Sequence, residues 1–162
     1  MRNSKMKGFT LIELIVVIAI IGVLAAILVP SMIGYVGDSR YSTANANAKL
    51  VYTNTATYIT KMNVAAKATT ITGGEMDLKA DPEDTPTVEY TGTLEDLTKA
   101  LVNLQGNSSN GGYGYVGTNS SNTDIKFAQW SSDKENYVGN YPVAASRENP
   151  ATWTTNLSGA EE

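Results

Sequence analysis

The chain has 162 residues and a formal net charge of −4, a length that suits one small domain plus one membrane-spanning segment. It contains no cysteine and no histidine, which excludes disulfides, thiol or imidazole catalysis, and zinc sites built from these residues. Residues 1–8 carry three basic and no acidic side chains, whereas the remainder carries nine basic and 16 acidic ones. This acidic remainder disfavours a nucleic-acid partner, because such binding depends on neutralising phosphates.

A basic leader, residues 1–8, precedes a long apolar segment. In the 21 residues Phe9–Val29, Thr10 and Glu13 are the only polar side chains. As a helix this segment would be about 31 Å long, the thickness of a bilayer core. Basic residues next to an apolar helix favour the cytoplasmic side, so we predict a single-pass membrane helix with its amino terminus inside.

Glu13 separates three interpretations of this segment. A cleaved secretory signal has no place for an acid in its core. A plain membrane anchor leaves an acid whose insertion costs about 2.5–3.5 kcal/mol at a helix centre. Cleavage between Gly8 and Phe9 would instead create an ammonium group four residues before Glu13. That charge-assisted pair, formed within one subunit or between staggered subunits, would set the register of stacked helices.

The stretch Lys7–Leu14, with the sequence KGFTLIEL, resembles the class III signal of type IV pilins and pseudopilins. The likeness continues through the apolar segment and includes Pro30. It implies that a prepilin peptidase cleaves after Gly8 and methylates the new terminal amine of Phe9. It also implies that Glu13 acts in assembly, and that the chain self-assembles into a helical filament with machinery in the cytoplasmic membrane.

We predict one long kinked helix over residues 9–63. Residues 9–36 would form the transmembrane or filament-core part, and residues 37–63 an amphipathic continuation. Pro30 removes a helical hydrogen bond and Gly22 lowers helix stability. The resemblance implies that the stretch between them can unwind in a filament, whereas a kink common in membrane helices is the simpler alternative. Close helix packing at small residues is the alternative role for Gly22. An apolar stripe at 3–4-residue spacing is predicted in the continuation: Tyr41, Ala44, Ala48, Val51, Tyr52, Ile59 and Met62.

Residues 64–162 are predicted to form a globular body, which gives an α+β class with the long helix packed on a small antiparallel sheet. Residues 64–92 look loop-like, with a turn at Gly73 and Gly74. Leucines at helical spacing predict a short helix over residues 94–105, which begins with a capping motif that places Asp96 in the first turn. Alternation and turn residues predict the strands: Tyr113–Gly117, Asp124–Ser131, Asn136–Val143 and one near Ala151–Asn156.

No grouping of residues indicates catalysis, so we expect a protein that is not an enzyme and that has no cofactor. An acidic cluster could bind calcium, but it lacks the EF-hand spacing and a solvated loop is the favoured interpretation: Asp77, Asp81, Glu83 and Asp84. Three short matches to the glycosylation pattern begin at Asn107, Asn119 and Asn156. Aromatic residues of the body could stack on sugars or fill the core: Tyr113, Tyr115, Trp130, Tyr137, Tyr141 and Trp153.

Three functions therefore remain open at the level of sequence. The first is the structural subunit of a type IV pilus used in adhesion, motility or DNA uptake. The second is a pseudopilin of a type II secretion or competence system. The third is a filament-borne adhesin that binds polysaccharide. In the first case the chain would lie in the cytoplasmic membrane before assembly, and in a surface or extracellular filament afterwards.

Overall fold

The computed structural model of the protein describes residues 9–79, 87–105 and 111–153. The chain divides into two units, the first ending at Gly37 and the second beginning at Asp38, and each is described by itself. The expected α+β class is confirmed by a long helix and an antiparallel sheet. The elements, in chain order, are α1 (Leu11–Val64), β1 (Gly74–Asp77), α2 (Leu94–Gln105), β2 (Tyr113–Thr118), β3 (Ile125–Ser131) and β4 (Gly139–Tyr141).

In the second unit, α1 buries one stripe of side chains. Most of the predicted stripe is buried, since Ala44, Ala48, Val51, Ile59 and Met62 are all less than a tenth exposed. The stripe also contains three members that the apolar pattern did not indicate, Asn47, Thr55 and Tyr58. The Thr55 hydroxyl donates to the Val51 carbonyl at 2.8 Å, which satisfies its polar group inside the core.

The four strands form one antiparallel sheet in the order β1-β2-β3-β4. Because side chains alternate along a strand, each face of the sheet collects every second residue. Val116 pairs with Ala128, and both are fully buried in the core that contains the α1 stripe. Tyr115 pairs with Gln129 on the opposite face. A register shift between Gly117 and Thr118 marks an irregularity at the end of β2.

Strand β1 lies in the stretch that the sequence analysis treated as loop, and that prediction is wrong here. Gly74–Asp77 pairs with β2 along its whole length, with Met76 opposite Gly114. Met76 and Leu78 are buried and alternate with the exposed Glu75 and Asp77, a period-two signal that the neighbouring glycines obscured. The edge of β2 supplies the hydrogen-bonding partners that make this weak segment a strand.

Two strand predictions near the carboxyl end need correction. The predicted strand Asn136–Val143 is reduced to Gly139–Tyr141, and it stops before Pro142, which has no amide donor for a ladder. Residues 151–153 of the predicted strand Ala151–Asn156 have no regular structure, and residues 154–156 lie outside the described residues. The predictions for β2, β3 and α2 are confirmed to within one residue at each end.

Asp96 ties the start of α2 to the preceding loop and to α1. The residue is only 5% exposed, and its carboxylate accepts hydrogen bonds from the amides of Glu89 and Thr91, each at 2.8 Å, and from the Tyr58 hydroxyl at 2.9 Å. Tyr58 in turn accepts from the Gly92 amide at 2.9 Å. Burial opposes the charge of Asp96, but these hydrogen bonds hold its pKa below the ordinary value. Burial raises the pKa of Tyr58 to about 12.

We predict that Asp96 makes the body sensitive to acid. Because the pKa of Asp96 is lowered on folding, its contribution to stability is present above the pKa of the unfolded chain, about 3.9, and is lost as the pH falls through the lower folded value. Asp96→Asn should therefore lower the melting temperature at pH 7 and flatten its dependence on pH below about 4. Thermal unfolding followed by near-ultraviolet circular dichroism measures both effects.

The matched control is Asp124→Asn, which removes an acid from an exposed position. It should leave the melting temperature and its acid dependence close to those of the unaltered chain. Equal destabilisation by the two variants would contradict the role assigned to Asp96.

Gly139 sets the distance between β4 and α1. A Cβ atom at Gly139 would lie 2.1 Å from the backbone carbonyl carbon and oxygen of Ala44, and backbone atoms cannot rotate away. The side chain at position 44 is itself an alanine that is 1% exposed. The pair therefore requires small residues on both elements, and it fixes where the strand crosses the helix.

We predict that Gly139→Val destabilises the body by about 1–3 kcal/mol, the usual cost of overpacking a core. Chemical unfolding of the full chain in detergent would measure this change. Gly22→Ala is the control, because a Cβ at Gly22 meets no atom within 4 Å. If Gly139→Val unfolds at the same denaturant concentration as the unaltered chain, the close contact with Ala44 does not determine the packing.

Candidate functional site

The first unit is an apolar helical segment that is exposed on every side. From Leu11 to Gly37 every residue belongs to α1, and Glu13 is the only charged side chain. Leu11, Ile12, Ile27 and Ile33 are each at least 70% exposed. The helix contains an 18-residue window with a mean hydropathy of 3.2, none of which is buried, so its length and composition suffice to cross a membrane. An apolar surface of this extent requires a cover of lipid or protein.

Glu13 closes the start of this helix together with Thr10. The Glu13 carboxylate accepts from the Thr10 amide at 2.8 Å and from the Thr10 hydroxyl at 2.6 Å, while the Glu13 amide donates to the hydroxyl oxygen at 3.4 Å. This reciprocal arrangement is a capping box, with Thr10 as the cap and Glu13 as the third helical residue. The sequence analysis missed Thr10, although the spacing Thr-x-x-Glu before an apolar run indicates this motif.

The structure places the other residues singled out in this segment as follows. Gly8, the expected cleavage position, lies outside the described residues. Phe9 directly precedes the cap and is 81% exposed. Gly22 has open space around it, so nothing within the single chain requires a glycine there. Pro30 lies inside α1, which continues on both sides, and its role in kinking or unwinding stays a prediction.

Several body aromatics proposed to stack on sugars are used in packing. Trp130 is 8% and Tyr115 is 2% exposed, so neither ring presents a face to a ligand. Tyr115 stacks with Phe127, with ring centroids 5.9 Å apart, and meets the edge of Trp153 at 6.4 Å. Trp153 donates its indole hydrogen to Glu75 at 3.0 Å and so holds the segment after β4 against the sheet.

The predicted calcium and glycosylation sites are only partly described. Of the calcium cluster, Asp77 is described, and its carboxylate accepts from the Lys79 amide at 3.0 Å; Asp81, Glu83 and Asp84 lie outside the described residues. Within the described ranges, no group of three or more acidic side chains could hold a metal ion. Asn119 uses both ends of its amide inside its own turn, donating to Thr123 at 3.0 Å. Asn107 and Asn156 are not described.

Comparison with known proteins places these features in a family. A family model described as the prokaryotic N-terminal methylation motif matches residues 3–29. The type IV major pilin protein PilA of Myxococcus xanthus is 51% identical over 51 residues, which cover 32% of this chain and 23% of that protein. The fimbrial protein EcpC of Eikenella corrodens is 30% identical over 151 residues, covering 78% of this chain and 90% of that protein. The chain belongs to the type IV pilin family.

A further relative supports this assignment of the pilin beyond its first residues. The type IV major alpha-pilin of Moraxella bovis is 30% identical over 113 residues, covering 64% of this chain and 71% of that protein. The match to the Myxococcus xanthus protein, by contrast, spans less than a quarter of that relative's length. No solved structure matches the chain.

We predict that Thr10→Val opens the first turn of α1 in this pilin, because valine lacks the hydroxyl that donates to the Glu13 carboxylate and accepts from the Glu13 amide. Amide hydrogen exchange at residues 11–13, measured on the full chain in detergent micelles, should become faster. Thr10→Ser keeps the hydroxyl and should retain the original exchange rates. Unchanged exchange in the valine variant would show that the cap contributes nothing to the helix start.

Proposed function

We propose that this pilin is the structural subunit of a type IV pilus, and that its apolar helix forms the core of the filament. The observation that carries this proposal is an exposed apolar helix with a single carboxylate in its first turn. Lipid would cover the helix before assembly, and neighbouring copies would cover it afterwards. The body, which is acidic overall, would then face outward. This is a structural role, so no catalytic step is assigned to the chain.

Processing would prepare the helix for assembly. The proposed sequence is insertion with the basic leader on the cytoplasmic side, cleavage after Gly8 by a prepilin peptidase, and methylation of the new amine on Phe9. The match of the methylation motif to residues 3–29 supports this order. A methylated amine remains protonated near neutral pH, so cleavage adds one positive charge directly before the helix.

The new charge would give Glu13 a stronger partner than Thr10. In the single chain, Glu13 accepts hydrogen bonds from neutral groups. An ammonium donor adds a direct attraction between opposite charges to the hydrogen bond, and this attraction grows where water is excluded. An ammonium from the same or a neighbouring subunit would therefore neutralise the carboxylate and fix the axial position of the entering helix. Until that pair forms, the capping box would hold the Glu13 carboxylate at the start of the helix.

The same helix would also suit a pseudopilin of a secretion system. The names of the relatives favour a pilus subunit over that alternative. The relatives given above are named as pilins or fimbrial proteins. A surface fibre is therefore the better-supported product. Electron microscopy of sheared surface material, labelled with an antibody to residues 111–153, separates a long fibre from a short secretion-system assembly.

We predict that Glu13→Gln inserts and is processed normally but forms few or no fibres. Glutamine can still accept the hydrogen bonds of a capping box, so the helix start is preserved while the charge is lost. Sheared fibres would be counted by electron microscopy, and the cellular pool of processed subunit by immunoblot. Thr10→Ser is the matched control and should assemble like the unaltered chain.

Normal fibre yield from Glu13→Gln would contradict the charge pairing and would leave capping as the function of the residue. Loss of fibres together with loss of processed subunit would place the defect before assembly. The two readouts therefore distinguish a failure to pair from a failure to insert or be cleaved.

We predict that Gly8→Val leaves an uncut precursor, because a branched side chain next to the expected cleavage bond blocks its approach to the peptidase. Intact-mass measurement of the membrane fraction should give a mass that still includes residues 1–8 and no added methyl group. Gly8→Ala is the milder control and should be processed at least in part. A valine variant that is cut after position 8 and methylated would contradict the prediction and show that processing does not need glycine there.

A further inference from the structure

A cleft of about 550 Å³ lies in the second unit between α1 and the loop that joins β3 to β4. Its volume lies in the range of small-molecule sites, about 300–1,000 Å³. None of its residues belongs to the apolar segment proposed for assembly. Trp130 closes one side, and the remaining lining is mostly polar: Ser39, Arg40, Thr43, Ala44, Ser132, Asp133, Asn136 and Tyr137.

Arg40 brings a positive charge into the cleft and has no ionic partner among the described residues. Its guanidinium lies over the ring of Tyr137, 5.2 Å from the centroid. Among the described residues, no carboxylate lies within ion-pair distance of Arg40, whereas Arg147 approaches Asp38 at 3.9 Å. A cation–π contact leaves guanidinium N–H groups available as donors. Paired guanidinium N–H groups match the two oxygens of a carboxylate.

Asp133, the acid in the same cleft, is used by its own loop. Its carboxylate accepts from the amide and side chain of Asn136 at 2.8 and 3.2 Å and from the amide of Glu135 at 3.0 Å. Lys134 and Tyr137 adopt left-handed backbone conformations, with φ of 69° and 49°. Such conformations are uncommon for residues other than glycine and concentrate at functional sites. Here they fix the loop that presents Tyr137 to Arg40.

The polar side chains of the cleft indicate which groups a ligand carries besides its carboxylate. The Ser39 and Ser132 hydroxyls make no hydrogen bond to any residue that the structure describes, so both can donate to and accept from a ligand. Tyr137 and Trp130 add apolar surface to these polar groups. A ligand that combines a carboxylate with several hydroxyls and an apolar ring face matches such a lining.

We propose that this cleft is a binding site for an acidic sugar, such as a uronic acid residue of a polysaccharide. Arg40 would bind the sugar carboxylate along the edge of its guanidinium. Ser39 and Ser132 would bind sugar hydroxyls. The site would let the filament bind a polysaccharide away from the packed rings of Tyr115, Phe127 and Trp153. Binding does not require assembly, so this proposal and the pilus proposal can fail independently.

The test is an isothermal calorimetric titration, in which glucuronic acid is added to the full chain in detergent micelles. Glucose is the neutral probe and acetate is the carboxylate without hydroxyls. We expect glucuronic acid to bind at least tenfold more tightly than either. Arg40→Gln should weaken its binding at least tenfold, while Arg147→Gln, which removes the same charge outside the cleft, should leave it unchanged.

Arg40→Lys tests whether weaker binding comes from a folding defect, because it keeps the charge and most of the side chain. It should weaken binding by a smaller factor than Arg40→Gln, since lysine lacks the paired donors of arginine. Absence of glucuronic acid binding to the unaltered chain would overturn the proposal. Equal weakening by Arg147→Gln would show a general charge effect and overturn it as well, and equal binding of acetate would overturn the assignment to a sugar.

Discussion

The structure depends on how the apolar surface of residues 9–36 is kept from water. Apolar area contributes about 25 cal/mol per Å² when it is buried, so a helix that is exposed on all sides cannot remain in solution by itself. Because this segment is apolar all round, it has no preferred face. The same residues therefore suit a lipid environment and a bundle of identical helices. Glu13 is the only charged residue in this segment. Its carboxylate lies at the start of the helix, where it accepts a hydrogen bond from Thr10.

In the second unit, the same helix is covered on one side only. Beyond residue 38, α1 has a buried stripe and an exposed face, and the sheet covers the stripe. Gly139 and Ala44 bring strand and helix together at backbone distance, while Asp96 and Tyr58 join α1 to the start of α2. The chain has no cysteine, so no disulfide assists these contacts. Close packing and hydrogen bonds to buried polar groups hold the body together.

Much of this fold could be predicted from the sequence, because its longest elements have strong local signals. The apolar length gives α1, the leucine spacing gives α2, and alternation gives β2 and β3. Strand β1 could not be predicted as easily, since Gly73 and Gly74 indicate a turn and its partner β2 is distant in sequence. The Arg40 cleft could not be predicted at all, because Arg40 and Tyr137 meet only in the folded chain. The capping role of Thr10 could be predicted from its spacing to Glu13, because Thr-x-x-Glu before an apolar run is the pattern of a capping box.

The most direct test of the account is a high-resolution structure of sheared surface filaments. The account predicts fibres built from this chain beginning at Phe9, with the terminal nitrogen of one subunit within about 4 Å of a Glu13 carboxylate oxygen of the same or the next subunit. It also predicts that neighbouring helices cover residues 9–36. A filament in which Glu13 still contacts Thr10 alone, with no ammonium nearby, would contradict the charge pairing. Fibres built from another protein would contradict the central claim.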